Sequence, residues 1–66
     1  MKDLQQSERL LALPTVLERT ALKRASLYAA MDRGEFPRPI RLSSNRVAWV
    51  ESRIQAWIAA KINEAA

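Results

Sequence analysis

Residues 20–58 read TALKRASLYAAMDRGEFPRPIRLSSNRVAWVESRIQAWI, and this stretch decides the fold. Its first third has the period of a helix. Leu27 and Met31 share a face with Ala30 beside them, while Ala25, Ala29 and Asp32 lie opposite. Ser26 and Tyr28 take the two flanks, and Lys23 and Arg24 the first turn. Gly34, the only glycine in the chain, stops a helix predicted over about Lys23 to Arg33. Pro37 and Pro39 then hold the connection extended, because each also restricts the residue before it.

Two strand-like runs follow. Ile40 and Leu42 alternate around Arg41, and Val47 and Trp49 alternate around Ala48, the period of a half-buried strand. Ser43-Ser44-Asn45 supply the turn between them. From Glu51 to Asn63 apolar residues recur at Ile54, Trp57, Ile58 and Ile62, the inner stripe of a last helix.

Upstream, residues 1–8 read as a polar lead-in and residues 9–63 as one folded domain. Arg9-Leu10-Leu11-Ala12-Leu13 reads as a short strand with Leu11 and Leu13 on one side. A first helix begins either at Pro14, which suits a first helical position, or just after Thr15, which with Glu18 has the spacing of a capping box. Val16 and Leu17 point inward, the helix ends near Arg19 or Thr20, and Leu22 plugs the turn behind Ala21. The expected fold is therefore mainly α with a small β hairpin. Three helices and a two-stranded wing, with a short N-terminal strand, make a winged helix-turn-helix.

Composition narrows the function. With 66 residues the chain has room for one domain, which buries only about 60% of the surface its unfolded form exposes. There is no cysteine and no histidine, hence no disulfide and no zinc site. No Gly-rich phosphate loop is present, nor any motif pairing a nucleophile with a base. The seven acidic residues are scattered, so no enzymatic activity, cofactor or small-molecule substrate is expected. No apolar run approaches a signal peptide or the roughly 20 residues of a membrane span, so a cytoplasmic protein without membrane contact is expected.

The net charge of +4 is unevenly placed. Residues 1–18 hold Lys2 and Arg9 against Asp3, Glu8 and Glu18, a balance of −1. Residues 19–53 hold Arg19, Lys23, Arg24, Arg33, Arg38, Arg41, Arg46 and Arg53 against Asp32, Glu35 and Glu51, a balance of +5. Guanidinium groups pair well with phosphate and with guanine, and their concentration on the helix and hairpin points to double-stranded DNA. Lys23, Arg24 and Arg33 on the helix, with Arg38, Arg41 and Arg46 along the hairpin, form the candidate basic stripe. Ser26 and Tyr28 suit phosphate oxygens, which fixes register without reading sequence. Ala25 and Ala29 let the backbone approach base edges, although helix propensity alone explains them equally well. Ser44 and Asn45 make the tip of the wing beside Arg46, where a cation suits backbone or the minor groove. Contact by about six cations gives a log–log salt slope near −5. Trp49 and Trp57 suit base stacking in type, but their periodicity puts both in the core, and Phe36 reads as a plug beneath the prolines.

The run from Thr20 to Tyr28, then Gly34-Glu35-Phe36-Pro37-Arg38-Pro39-Ile40-Arg41-Leu42, then Arg46-Val47-Ala48-Trp49 and Glu51 to Trp57 resembles the AlpA family of phage and prophage regulatory proteins. That family is similar to phage excisionases and to the DNA-binding domain of MerR-type regulators. The resemblance covers about residues 9–62, and Phe-Pro-x-Pro with the later Trp-x-x-Ser-x-x-x-x-Trp is its specific part. It implies a winged helix-turn-helix regulator of transcription on a mobile element, with the Lys23–Arg33 helix reading DNA and Leu42–Val47 as the wing. Arg24, Ser26, Tyr28 and Arg46 stand at positions the family keeps. Three departures follow. Ala21 replaces the usual turn glycine, so the turn either avoids positive φ or bears strain. Lys23 replaces a Ser or Thr cap, worth about 1 kcal/mol. Ala29 replaces a polar residue, which thins the outward face and shifts affinity toward phosphate contacts and DNA shape.

Two other readings use the same residues. One is an architectural, excisionase-like factor that bends DNA and assists an integrase; under either DNA-binding reading one short helix and a wing give a small footprint, so self-association or cooperative binding of several copies on adjacent sites is expected. The other is a protein-interaction adapter or anti-repressor, docking through Gln55, Ala56, Ala59, Ala60 and Ala66 of the last helix.

Overall fold

In the computed structural model, which describes residues 8–65, the first element is a two-residue strand, β1 (Leu10–Leu11), held by its partner rather than by length. Helix α1 (Leu13–Thr20) and helix α2 (Arg24–Asp32) follow. Strands β2 (Ile40–Ser43) and β3 (Arg46–Val50) form the hairpin, and α3 (Glu51–Ala65) starts where β3 ends. The sheet is antiparallel in the order β1-β3-β2, with Leu11 opposite Trp49 and Ile40 opposite Ala48. Three helices plus this hairpin are the parts of a winged helix-turn-helix in their expected order. Of the lead-in assigned to residues 1–8, all but Glu8 lies outside the described residues.

Helix α1 begins one residue before Pro14. Ala12 is its N-cap, extended at φ −77° and ψ 163°, with no side-chain cap. The Val16 N–H donates to the Ala12 carbonyl at 3.1 Å, so the helix is under way before a Thr15–Glu18 box can form. Leu13 is therefore the first helical residue and not part of the strand with Leu11. Pro14 at the second position gives up no hydrogen bond, since its N–H would have no helical partner there. At the other end Ala21 sits at φ 62° and ψ 19°, and its N–H donates to Leu17 O at 2.8 Å. The turn thus bears the strain that glycine would avoid, about 1–2 kcal/mol for an L-residue in this region. Thr20 supports it: its hydroxyl donates to Val16 O at 2.8 Å and accepts from the Leu22 N–H at 3.4 Å.

Gly34 ends α2 in a full Schellman motif. Its φ is 74°, its N–H donates to Met31 O at 3.0 Å, and the Glu35 N–H reaches back to Ala30 O at 2.8 Å. Phe36 then drops into the core.

The core contains Leu11, Val16, Leu27, Met31, Phe36, Trp49 and Ile54, with Leu13, Leu17, Leu22, Ala30, Trp57 and Ile58 packed around it. Trp49 is fully buried, and its indole N–H donates to Pro37 O at 3.0 Å, so burying it leaves no polar group orphaned. Trp57 is half-buried, edge-on to Phe36 at 5.0 Å between centroids, with its N–H on Glu35 O at 3.0 Å. Both tryptophans are spent on packing.

Two stripes differ from expectation. The hairpin does not alternate: Ala48 and Trp49 are both buried, while Leu42 and Val47 are 48% and 46% exposed. The register shifts between Arg41 and Ser43, so Leu42 is the bulged residue, and the hairpin extends past the core that would cover that side. On α3 the inner stripe ends at Ile58. Ile62 is 64% exposed, because the last turns run beyond the elements they would pack against.

Candidate nucleic-acid interface

From Arg24 to Asp32 no other described residue covers the outward side of α2. Arg24, Ala25, Ser26, Tyr28, Ala29 and Asp32 are all exposed, while Leu27 and Met31 anchor the opposite side. At 100° per residue Ala25, Ala29 and Asp32 form the crest, Tyr28 one shoulder, Ser26 and Arg33 the other. Arg24 lies nearer the core side, at the head of the helix. Lys23 is its N-cap, extended at φ −83° and ψ 156°, and caps nothing with its side chain. Two cations thus stand at the end of the helix where the unpaired backbone N–H groups already favour an anion.

The other cations divide into two groups. Arg19 reaches Glu51 at 2.8 Å and also donates to Gln55, Arg9 approaches Glu51 at 4.0 Å, and Arg33 pairs with Glu35 at 2.9 Å. Arg38 donates to Met31 O at 3.2 Å, on a carbonyl that Gly34 also uses. These four are engaged within the chain. Among the described residues Lys23, Arg24, Arg41, Arg46 and Arg53 make no ion pair. The six-cation stripe read from the sequence thus has four members uncommitted, with Arg33 and Arg38 already engaged.

On the hairpin, Arg41 faces Val47 in register and Arg46 faces Ser43. Ser44 and Asn45 form a two-residue tip, exposed on both sides. Neither has positive φ, so the tip is not the primed type I turn that best matches strand twist. The bulge at Leu42 supplies the extra twist instead. Leu42 and Val47 therefore put apolar surface among the hairpin arginines, which a period-two reading of the sequence assigns to the core.

Sequence reasoning passed over two exposed charged residues. Arg53 was counted in the basic stretch but not placed in the site, although it is exposed and unpaired among the described residues. Asp32 was placed opposite the core but given no role. The signal for Asp32 was present: it is the one acidic residue on the crest of a basic helix.

No helix among the described residues is long and apolar enough to cross a membrane. Residues 9–62 match the family described as "Prophage CP4-57 regulatory protein (AlpA)". The chain is also similar to the "Uncharacterized protein ORF88" of Enterobacteria phage P4, 38% identical over 55 residues. That match takes in 83% of this chain and 62% of the phage protein, so the chain spans about three fifths of its relative's length.

Proposed function

The chain belongs to the AlpA family of prophage regulatory proteins, and from that membership and the basic head of α2 we propose that it binds duplex DNA with sequence preference to regulate transcription. Residues 9–63 act as one DNA-binding domain in the cytoplasm, without enzymatic chemistry. The observation that carries the reading is the division of the cations. Arg19 and Arg33 are paired inside the chain, whereas among the described residues Lys23 and Arg24 make no ion pair and stand beside an exposed helix face.

A nine-residue helix is about 13 Å long and enters a major groove about 12 Å wide. Lys23 and Arg24 meet phosphate or a guanine edge, and Ser26 and Tyr28 donate to phosphate oxygens. Ala25 and Ala29 let the helix approach the bases. Arg41 and Arg46, with Ser44 and Asn45 at the tip, put the wing on the neighbouring backbone and minor groove. Arg33 and Arg38 sit in the same surface but act through the fold, holding the segment after α2 in place.

Fluorescence anisotropy on duplex DNA tests this. Four uncommitted cations on phosphates give a log–log salt slope of about −4. A slope near zero, or no binding at low salt, overturns the reading.

A further inference from the structure

We infer that Asp32 is a specificity-determining residue, accepting a hydrogen bond from an exocyclic amino group on the major-groove edge of a base, cytosine N4 or adenine N6. The inference rests on the duplex-DNA reading above and adds to it the one residue whose charge opposes that reading.

Three observations meet at Asp32. It is exposed on the crest of α2, seven residues after Ala25 and three after Ala29, where the small side chains let a short carboxylate reach past the backbone. It makes no ion pair among the described residues, nor does Glu18 on α1, whereas Glu35, Glu51 and Glu64 do. It is also the last residue of α2, where the carbonyl end of the helix carries partial negative charge and repels a carboxylate. Among the described residues no ion pair offsets that repulsion: Arg33 next door is turned to Glu35, and Arg38 takes the Met31 carbonyl.

A residue that breaks a local rule without an internal partner is expected at a functional site. Its chemistry limits the ligand. An ionised carboxylate only accepts hydrogen bonds and is repelled by phosphate. In a major groove the donors open to it are the amino groups of cytosine and adenine, while guanine and thymine show it only acceptors. Asp32 therefore rewards a base with an amino group at its position and penalises every register that lacks one.

The test starts from the duplex that wild-type protein enriches from a random pool, compared with random duplex by anisotropy, using D32A and D32N. D32A removes charge and acceptor together, whereas D32N removes the charge but keeps an acceptor oxygen and so retains the preference for a base with an amino group. Random duplex should bind the variants more tightly, about threefold, as a repulsive charge leaves. With D32A the enriched duplex should gain nothing, so discrimination falls by the same factor, about threefold. Base analogues lacking the cytosine N4 or adenine N6 amino group, placed one at a time, should weaken wild type at one position and leave D32A unmoved there; which analogue acts identifies the base. Thermal melting should show both variants at least as stable as wild type. An equal gain on both duplexes with D32A makes Asp32 a general repulsive charge and overturns the inference while the DNA-binding reading stands. A lower melting point assigns Asp32 to the fold and overturns it too. Absence of duplex binding by wild type removes the functional reading itself.

Discussion

Arg19 on α1 closes on Glu51 of α3 with 2.8 Å between guanidinium and carboxylate, across 32 residues of sequence. Glu51 also opens α3, where a carboxylate interacts well with the N-terminal dipole, and its backbone N–H donates to Arg9 O at 2.8 Å. One residue thus fastens β1's leading edge, α1 and the last helix. Both side chains are partly covered, at 31% and 23% exposure, so the pair is screened less than a free surface bridge. Arg19→Ala is expected to lower stability by about 1 kcal/mol, or about 4–8 °C in melting temperature for a domain of this size. Circular dichroism melts of R19A, E51A and the double variant measure it. If the two single losses simply add, the pair has no coupling and the clasp is packing alone.

The strain at Ala21 can be removed by one substitution. Its left-handed backbone costs about 1–2 kcal/mol relative to a favoured conformation, and glycine adopts it freely. Glycine also loosens the unfolded chain, by about 0.4–1 kcal/mol, which opposes the gain. Ala21→Gly should therefore stabilise the protein modestly, by about 0.5–1 kcal/mol, read as a higher urea midpoint at unchanged slope. A lower midpoint would mean that the Thr20 hydroxyl bonds, not conformational preference, set the cost of this turn.

Positions in the hairpin should separate sharply in their effect on stability. Leu42 and Val47 lie where the sheet has outrun its core, so Leu42→Ser and Val47→Thr are each expected within about 0.5 kcal/mol of wild type. Trp49 fills the centre with no exposure at all, and Trp49→Ala should cost about 3–5 kcal/mol, enough to unfold a domain this small. Urea titration of the first two and the native circular dichroism of the third decide it. A large loss from Leu42→Ser would restore the alternating pattern that the exposure values contradict.

What the sequence disclosed and what it hid follow from one distinction. Helix α2 was legible because Leu27, Met31 and Gly34 speak locally: a period and a left-handed stop need no knowledge of the rest. Phe36 and Trp49 were legible as core because a small domain must bury its largest side chains. The facing of Leu42 and Val47 was not, since a bulge resets the period and the reach of the helices beneath decides which side is covered. Ile62 was misread for a similar reason: its stripe continues after its partners end. Charge behaved alike. Eight cations between residues 19 and 53 can be counted in one dimension, but Arg19 is paired 32 residues away and Arg33 two. Only the folded chain separates Lys23 and Arg24, left open at the head of α2, from cations already engaged.

That separation makes the DNA contacts testable by contrast within one surface. Arg24 opens α2 and Arg33 caps its end with the same charge, yet among the described residues only Arg33 of the two has a carboxylate partner, at 2.9 Å and exposed. Arg24→Ala should weaken duplex binding by about 1–3 kcal/mol where it meets a base edge, and should relax the preference at that base pair. Arg46→Ala, on the wing, should weaken all duplexes alike and reduce the magnitude of the salt slope by about 1. Arg33→Ala should do neither, because the ion it loses was neutralised within the chain, and Glu35→Ala should free that cation and steepen the slope. Anisotropy titrations of the four variants across salt concentrations, with circular dichroism as a folding control, give the comparison. Equal losses from Arg24→Ala and Arg33→Ala would show that the surface acts as undifferentiated charge, and that pairing inside the chain does not decide which arginines the DNA meets.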